Sequence, residues 1–327
     1  MNYVSIFLGL LGGLSLFLYG VTRLSISLRK IAGDRMKDIL ERFTSNVFFA
    51  VLSGMFVTIV LDSSSITIIM VIALVNARII PFQRSIGVIM GANIGTTVSS
   101  QIIAFQIAEY SAVLLVVGFV LYFLNKKRKT VKYIGLTLFG FGLIFFGLAL
   151  MGQATEPLKD SESFRVWIHT LESPWKGVLV GAGLTAIIQS SSATMGIVIT
   201  LASQKMISLA VGITVMLGAE IGTCADTLIA SLGRSKDALK AGIFHISFNV
   251  VTVVIGVLLH DMIGSLSSYI TPQGVARQIA NAHMIFNIGG VLLFVWFTPG
   301  IAALLDRLVP GRIHKMVRAD SQSNSVR

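Results

Sequence analysis

"GMFVTIVLDSSSIT" (residues 54–67) and "GAGLTAIIQSSSAT" (181–194) are one segment written twice, 127 residues apart. Each sets a polar side chain and three serines in the middle of an apolar run: Asp62-Ser63-Ser64-Ser65 in the first copy, Gln189-Ser190-Ser191-Ser192 in the second. The same offset, without a gap, carries "GANIGTT" (91–97) onto "GAEIGTC" (218–224), and 17 of 44 aligned pairs between 54–97 and 181–224 are identical. Apolar segments match by chance through Leu, Ile and Val. More than half of these identities, however, involve Ser, Thr, Gly or Ala in ordered motifs, and Gly20 and Gly147 keep the offset upstream. The chain contains an internal duplication.

The setting of the two copies is a membrane. Of 327 residues, 54% are apolar and only 13% charged, against about 25% charged in soluble domains. Apolar runs long enough to cross a bilayer as helices recur throughout, so the expected fold is an all-α polytopic membrane protein. The first residues lack a basic region followed by a small-residue cleavage site, and are taken as a first span rather than a removed signal. The net charge of +11 does not indicate nucleic acid, because the basic residues sit in short connections and no aromatic residues interleave with them as a stacking platform. The single Cys224 excludes an internal disulfide and argues against a cysteine-ligated metal.

Spans are expected at about 4–27, 84–107, 110–125, 133–152, 208–230, 239–260 and 277–304. The serine segments, 46–75 and 177–203, are too long for one crossing and carry hydroxyls at their centres. As re-entrant hairpins, each becomes two half-helices meeting at a polar tip, tolerable at that depth where protein or a watery cavity surrounds it. The hairpin reading gathers 20 Lys and Arg on one side, in 29–45, 76–84, 126–132, 233–240 and the tail from Asp306, against 5 on the other. That side is expected to be cytoplasmic, with the N-terminus outside and the C-terminus inside. Three crossings per copy is an odd number, so the second copy is inserted upside down, and the hairpins dip from opposite faces. The expected organisation is a first inverted repeat at 1–130 and a second at 131–265. Each comprises a span, a hairpin, a broken span and a further span. An additional C-terminal span follows at 266–305, then a basic tail at 306–327. Inverted repeats with discontinuous helices are the architecture of secondary transporters. "RKIAGDRMKDILERF" (29–43) reads as an interfacial helix on the basic face.

Only Asp62, Glu220 and Asp226 among the acids are placed at membrane depth, where a charge costs a few kcal/mol or more. Asp62 aligns with Gln189 and Asn93 with Glu220, so each copy supplies one carboxylate and one amide at exchanged positions. Asp226 lies outside the strongest motif, where a helix-end hydrogen bond explains it equally well. At a hairpin tip, serine hydroxyls donate and accept, free N–H groups at a half-helix N-terminus favour an anion, and C-terminal carbonyls favour a small cation. One tip can therefore hold an oxyanion beside a hard cation. The glycines of "GANIGTT" and "GAEIGTC" are expected to permit unwinding, turning Asn93, Thr96, Glu220 and Thr223 toward a cavity. "FHISFN" and "AHMIFN" repeat His-x-x-Phe-Asn at His245/Asn249 and His283/Asn287. Spacing of four puts each pair on one helix face, and interhelical hydrogen bonding is preferred there to metal ligation.

These motifs resemble the sodium/phosphate cotransporters, the type II sodium-dependent phosphate transporters of animals and their bacterial relatives. Gln189-Ser190-Ser191-Ser192 and Gly91-Ala92-Asn93-Ile94-Gly95-Thr96 match the two hallmark segments in full. Asp62 stands where the first Gln is expected, and Glu220 where the second Asn is expected. The resemblance implies a non-enzymatic, sodium-coupled importer of inorganic phosphate or a related oxyanion, located in the cell membrane. Substrate contacts would come from Ser63, Ser64, Ser65, Gln189, Ser190, Ser191, Ser192, Asn93, Thr96 and Thr223. Asp62, Ser65, Thr67, Asn93, Glu220, Ser192 and Thr194 would hold Na+, the coupling ion, with no prosthetic cofactor and no other metal. Expected partners are phosphate, Na+ and lipid, with a homodimer as a possible assembly. Two other readings keep the fold: a cation or proton exchanger working through Asp62 and Glu220, and a non-transporting membrane sensor or partner subunit.

Overall fold

In the computed structural model, residues 3–32, 35–42, 44, 46–105, 107–124 and 128–310 are described. Most of the basic tail (311–327) and part of the 126–132 loop lie outside them. Every regular element among the described residues is a helix. Six helices are long and apolar enough to cross a membrane, as expected of an all-α polytopic protein. At the expected span 110–125 the helical stretch runs from Ala108 to Leu124, shorter than those six.

The chain begins with α1 (Tyr3–Ala32) and the short α2 (Arg35–Arg42). α2 turns its Met36 and Leu40 into a core shared with the first hairpin. That hairpin is α3 (Val47–Leu61) and α4 (Ser64–Asn76). α5 (Phe82–Ala104), α6 (Ser111–Leu124) and α7 (Lys129–Thr155) follow, then a small connecting helix, α8 (Glu162–Thr170). The second hairpin is α9 (Pro174–Ile188) and α10 (Ser191–Ser203). α11 (Leu209–Gly222) and α12 (Cys224–Ser231) form one span interrupted at Thr223. The chain ends in α13 (Lys236–Leu258), α14 (His260–Ile270), α15 (Val275–Phe294) and α16 (Thr298–Leu308). At 1.5 Å per residue, the 15-residue arms α3 and α9 reach about 22 Å, short of a ~30 Å hydrocarbon core.

Small residues set the architecture. A Cβ on Gly54 of α3 would lie 2.1 Å from the Val88 carbonyl oxygen of α5, and one on Gly91 of α5 would lie 1.9 Å from that of Val51. The second copy repeats both contacts: Gly181 meets Val215 at 2.0 Å and Gly218 meets Val178 at 2.1 Å. Backbones approach this closely only where the side chain is absent. Gly87, at one end of this seam, meets Val47, and Gly95, at the other, meets Thr58, so α3 and α5 run parallel. The chain therefore climbs α3, returns along α4, and climbs again along α5, which is what a re-entrant hairpin requires. α7 packs between α1 and α6, and its glycines meet theirs in antiparallel order.

The two hairpins open at opposite ends. Asn76, at the exit of α4, accepts from the Ser235 N–H at the start of α13 (2.9 Å), and Gln83 at the start of α5 donates to Asp306. The exit of α10 (Ser203, Gln204) lies instead beside the ends of α5 and α7, around a cavity that Glu109, Gln153 and Glu156 also line. One hairpin mouth is thus at the beginning of α5 and the other at its end.

Candidate functional site

Each hairpin tip is built by the same four devices. The first arm ends in a left-handed residue, Asp62 (φ 52°, ψ 34°) or Gln189 (φ 57°, ψ 30°). The following serine caps the second arm: Ser63 accepts from the Ile66 N–H (3.2 Å), and Ser190 from that of Ala193 (3.2 Å). A threonine pair ties the arms together, Thr58 to Thr67 at 3.0 Å and Thr185 to Thr194 at 2.8 Å. Thr67 and Thr194 also donate to the carbonyls of Ser63 and Ser190. The helix breaks here because a left-handed residue cannot continue it, and the serine hydroxyl satisfies an N–H that the new helix leaves free.

The tips differ in their surroundings. At the first, Ser99 of α5 donates to the Asp62 carboxylate, Ser65 meets the Asp226 carboxylate of α12, and Ser25 of α1 donates to the Leu61 carbonyl at 2.8 Å. Ser99 and Asp226 are themselves equivalent under the 127-residue offset, so the alignment pairs Asp62 and Ser99 with Gln189 and Asp226. Asp226 also accepts from the Thr227 N–H at 2.6 Å. At the second tip Gln189 is exposed, while Ser191 and Ser192 are buried.

The glycine motifs depart from expectation. α5 runs unbroken through Gly91–Thr96, and only the second copy is interrupted, at Thr223. In both copies these glycines bring the span against its hairpin arm, Gly91 on Val51 and Gly218 on Val178, so glycine here serves close packing and does not by itself unwind the helix. Thr96 and Thr223 donate to the carbonyls of Ala92 and Ala219 in their own helices. Asn93 donates to Asn249 at 2.9 Å. Glu220 lies 2.6 Å from His283 Nε2 and accepts from Asn287 at 3.4 Å. Asn93 and Glu220, with Thr67 and Thr194, join helices to one another, whereas Thr96 and Thr223 bond within their own; the tips themselves are Asp62–Ser65 and Gln189–Ser192.

Sequence reading missed two partners. Ser99 is one of three serines in α5, with nothing local to mark it. His283 is the partner of Glu220, 2.6 Å away. Its signal was the second His-x-x-Phe-Asn, and interhelical bonding by both copies is observed.

A polytopic helical protein with two oppositely mounted hairpins and serine-capped tips is built as an inverted-repeat membrane protein of the transporter class. It belongs to the Na+/Pi-cotransporter family, whose pattern matches it twice, over residues 16–153 and 158–295. The chain is 31% identical to "Uncharacterized protein YqeW" of Bacillus subtilis over 297 residues, 90% of this chain and 96% of that one. It is 23% identical to the "Putative inorganic phosphate export protein YjbB" of Salmonella typhimurium over 304 residues, 92% of this chain but 55% of that longer protein. A stretch of 99 residues, 29% of the chain and 15% of the relative, is 33% identical to the rat sodium-dependent phosphate transport protein 2A. No solved structure matches the chain.

Proposed function

We propose that the protein is a sodium-coupled secondary transporter of inorganic phosphate or a closely related oxyanion, working through the two hairpin tips. The observation that carries this reading is the pair of serine-capped tips on hairpins that open at opposite ends. Each second arm begins at its tip, so its N-terminal N–H groups and the serine hydroxyls offer donors to an anion. The first arms end there in carbonyls, and Asp62 adds a carboxylate that suits Na+ rather than phosphate. Na+ bound beside Asp62 offsets the cost of bringing an anion to the same place. Family membership and the phosphate named in the relatives support the cargo.

The 20 basic residues expected on one side support a cytoplasmic position for that side, with the N-terminus outside. An inward Na+ gradient then drives a symported anion inward. The test is phosphate uptake into proteoliposomes with the Na+ gradient imposed in either direction. Uptake that follows the gradient supports the reading, and uptake indifferent to Na+ removes the coupling. A second reading, cation exchange without an anion, is favoured by two acids at the first tip, Asp62 within it and Asp226 against its Ser65. It requires Na+ flux that phosphate does not change.

A further inference from the structure

The 127-residue offset pairs α6 with α13, since Ser111–Leu124 shifts onto residues 238–251. The packing pairs α13 with something else. α4 packs on α5, α12 and α13, whereas α10 packs on α11, α5 and α15, and on α7 as well. If α5 and the α11–α12 span are exchanged, as the duplication demands, α13 and α15 exchange with them. α6 packs along α7, away from the hairpins. His245 and Asn249 align with Gly118 and Tyr122 of α6, so that helix does not repeat their motif; α15 does.

The hydrogen bonds obey the same exchange residue by residue. Ser100 and Thr227 are equivalent, and so are Asn93 and Glu220. On α13, His245 Nδ1 meets Thr227 at 2.7 Å, and Asn249 accepts from Asn93 at 2.9 Å. On α15, His283 Nδ1 meets Ser100 at 2.8 Å, and Asn287 donates to Glu220 at 3.4 Å. Each helix thus bonds one position in the first copy and the other position in the second. In both, the Asn amide also donates to its own His carbonyl, at 3.0 Å and 3.1 Å. All four side chains are buried. The clamps differ most at the second ring nitrogen: Glu220 reaches His283 Nε2 at 2.6 Å, whereas His245 Nε2 lies 3.8 Å from Cys224 Sγ.

We propose that α15, not α6, is the inverted counterpart of α13, that the two helices are the joint between the hairpin-bearing halves, and that Glu220 and His283 are its controlling positioning residues. Two identical clamps related by a two-fold would hold both orientations of the halves equally. Glu220–His283 adds a carboxylate–imidazole hydrogen bond to one clamp alone, and bonds to a carboxylate are among the strong ones. It therefore biases the joint toward the arrangement described here. Its consequence for transport rests on the function proposed above: the bias sets the rate at which orientations exchange, not the affinity of the tips.

The test uses a cysteine in place of Thr200 on α10, a nearly buried residue lining the cavity between α10 and α7. The native Cys224 is fully buried and leaves a low labelling background. In purified protein, labelling of Thr200→Cys by a water-soluble maleimide is expected to change at least about fivefold with Glu220→Asn, the scale of a typical coupling between sites. Glu220→Gln, which keeps an oxygen within reach of His283, should restore labelling to within about twofold of the parent. Asn249→Ala and Asn287→Ala, which trim opposite clamps, should shift labelling in opposite directions. Shifts in the same direction, or none, overturn the joint, and the alanine pair decides the matter even if Glu220→Asn does not fold. In proteoliposomes, Glu220→Asn should change the maximal phosphate rate while KM stays within about threefold; a change confined to KM would make Glu220 a ligand instead. Labelling needs no cargo, so absence of phosphate flux in the unsubstituted protein overturns the transport reading while the labelling result still decides the joint.

Discussion

Asp62 and Gln189 hold the same backbone conformation at equivalent tips, yet one bears a carboxyl group and the other an amide. The left-handed geometry is a property of the hairpin, while the side chain is free to differ. Position 62 is where the first copy departs from the second in chemistry without departing in shape.

Asp62→Asn should therefore leave the fold intact, because Asn tolerates the left-handed region well. It retains an oxygen for the Ser99 hydroxyl and loses the charge. With Na+ held in part by that carboxylate, the Na+ concentration for half-maximal flux is expected to rise about tenfold, equivalent to ~1.4 kcal/mol. Discrimination between phosphate and sulfate should change little. Flux titrated with Na+ at fixed phosphate gives the answer, and an unaltered Na+ requirement would remove Asp62 from the cation site.

Gly54→Ala and Gly181→Ala place a methyl group 2.1 Å and 2.0 Å from carbonyl oxygens of the neighbouring helix. Backbone cannot yield as a side-chain tip can, so each is expected to cost about 1–3 kcal/mol or more. Gly183, two residues further along α9, has open space where its Cβ would stand. Gly183→Ala should be neutral or gain up to ~1 kcal/mol from helix propensity. Thermal unfolding of the purified variants separates the two classes, and equal losses at 181 and 183 would contradict the close seam.

The hairpins, their inversion and the paired tips were legible in the sequence, because repeated polar motifs in apolar runs have few interpretations at membrane depth. The unwinding expected of Gly91–Thr96 was wrong for a general reason. Glycine permits both an irregular backbone and a close helix contact, and only the neighbour decides which. The Glu220–His283 bond was hidden because 63 residues separate its partners. Nothing in either local pattern fixes which helix faces which.

The threonine pairs offer a test of the duplicated tip. Thr58→Val and Thr185→Val keep the side-chain shape and remove the hydroxyl bonded to Thr67 or Thr194. The remaining threonine still donates to its serine carbonyl, so no donor is stranded. Each change is expected to cost about 0.5–1.5 kcal/mol. Because the geometry is equivalent, the two losses should be similar and nearly additive in the double variant. A large loss at one tip and none at the other would mean that the tips do not share one stabilising design.

Lys240 makes an asymmetric prediction at the mouth of the first hairpin. Its ammonium lies 2.8 Å from Asp237 and 2.5 Å from Asp306, tying α13 to α16. The lysine side chain is only 4% exposed, whereas the two aspartates are 39% and 37% exposed. Lys240→Met leaves two carboxylates that water can reach, and its apolar chain fills the vacated path beside Phe82; the expected loss is ~1 kcal/mol. Removing both acids leaves a buried cation without a partner, which is the costly way to break such a contact, at about 3–5 kcal/mol. The Asp237→Ala/Asp306→Ala protein should therefore unfold at a lower temperature than Lys240→Met, although the lysine is the more buried residue. The reverse order would show that packing of the lysine stem, not its charge, holds this end of the helix bundle.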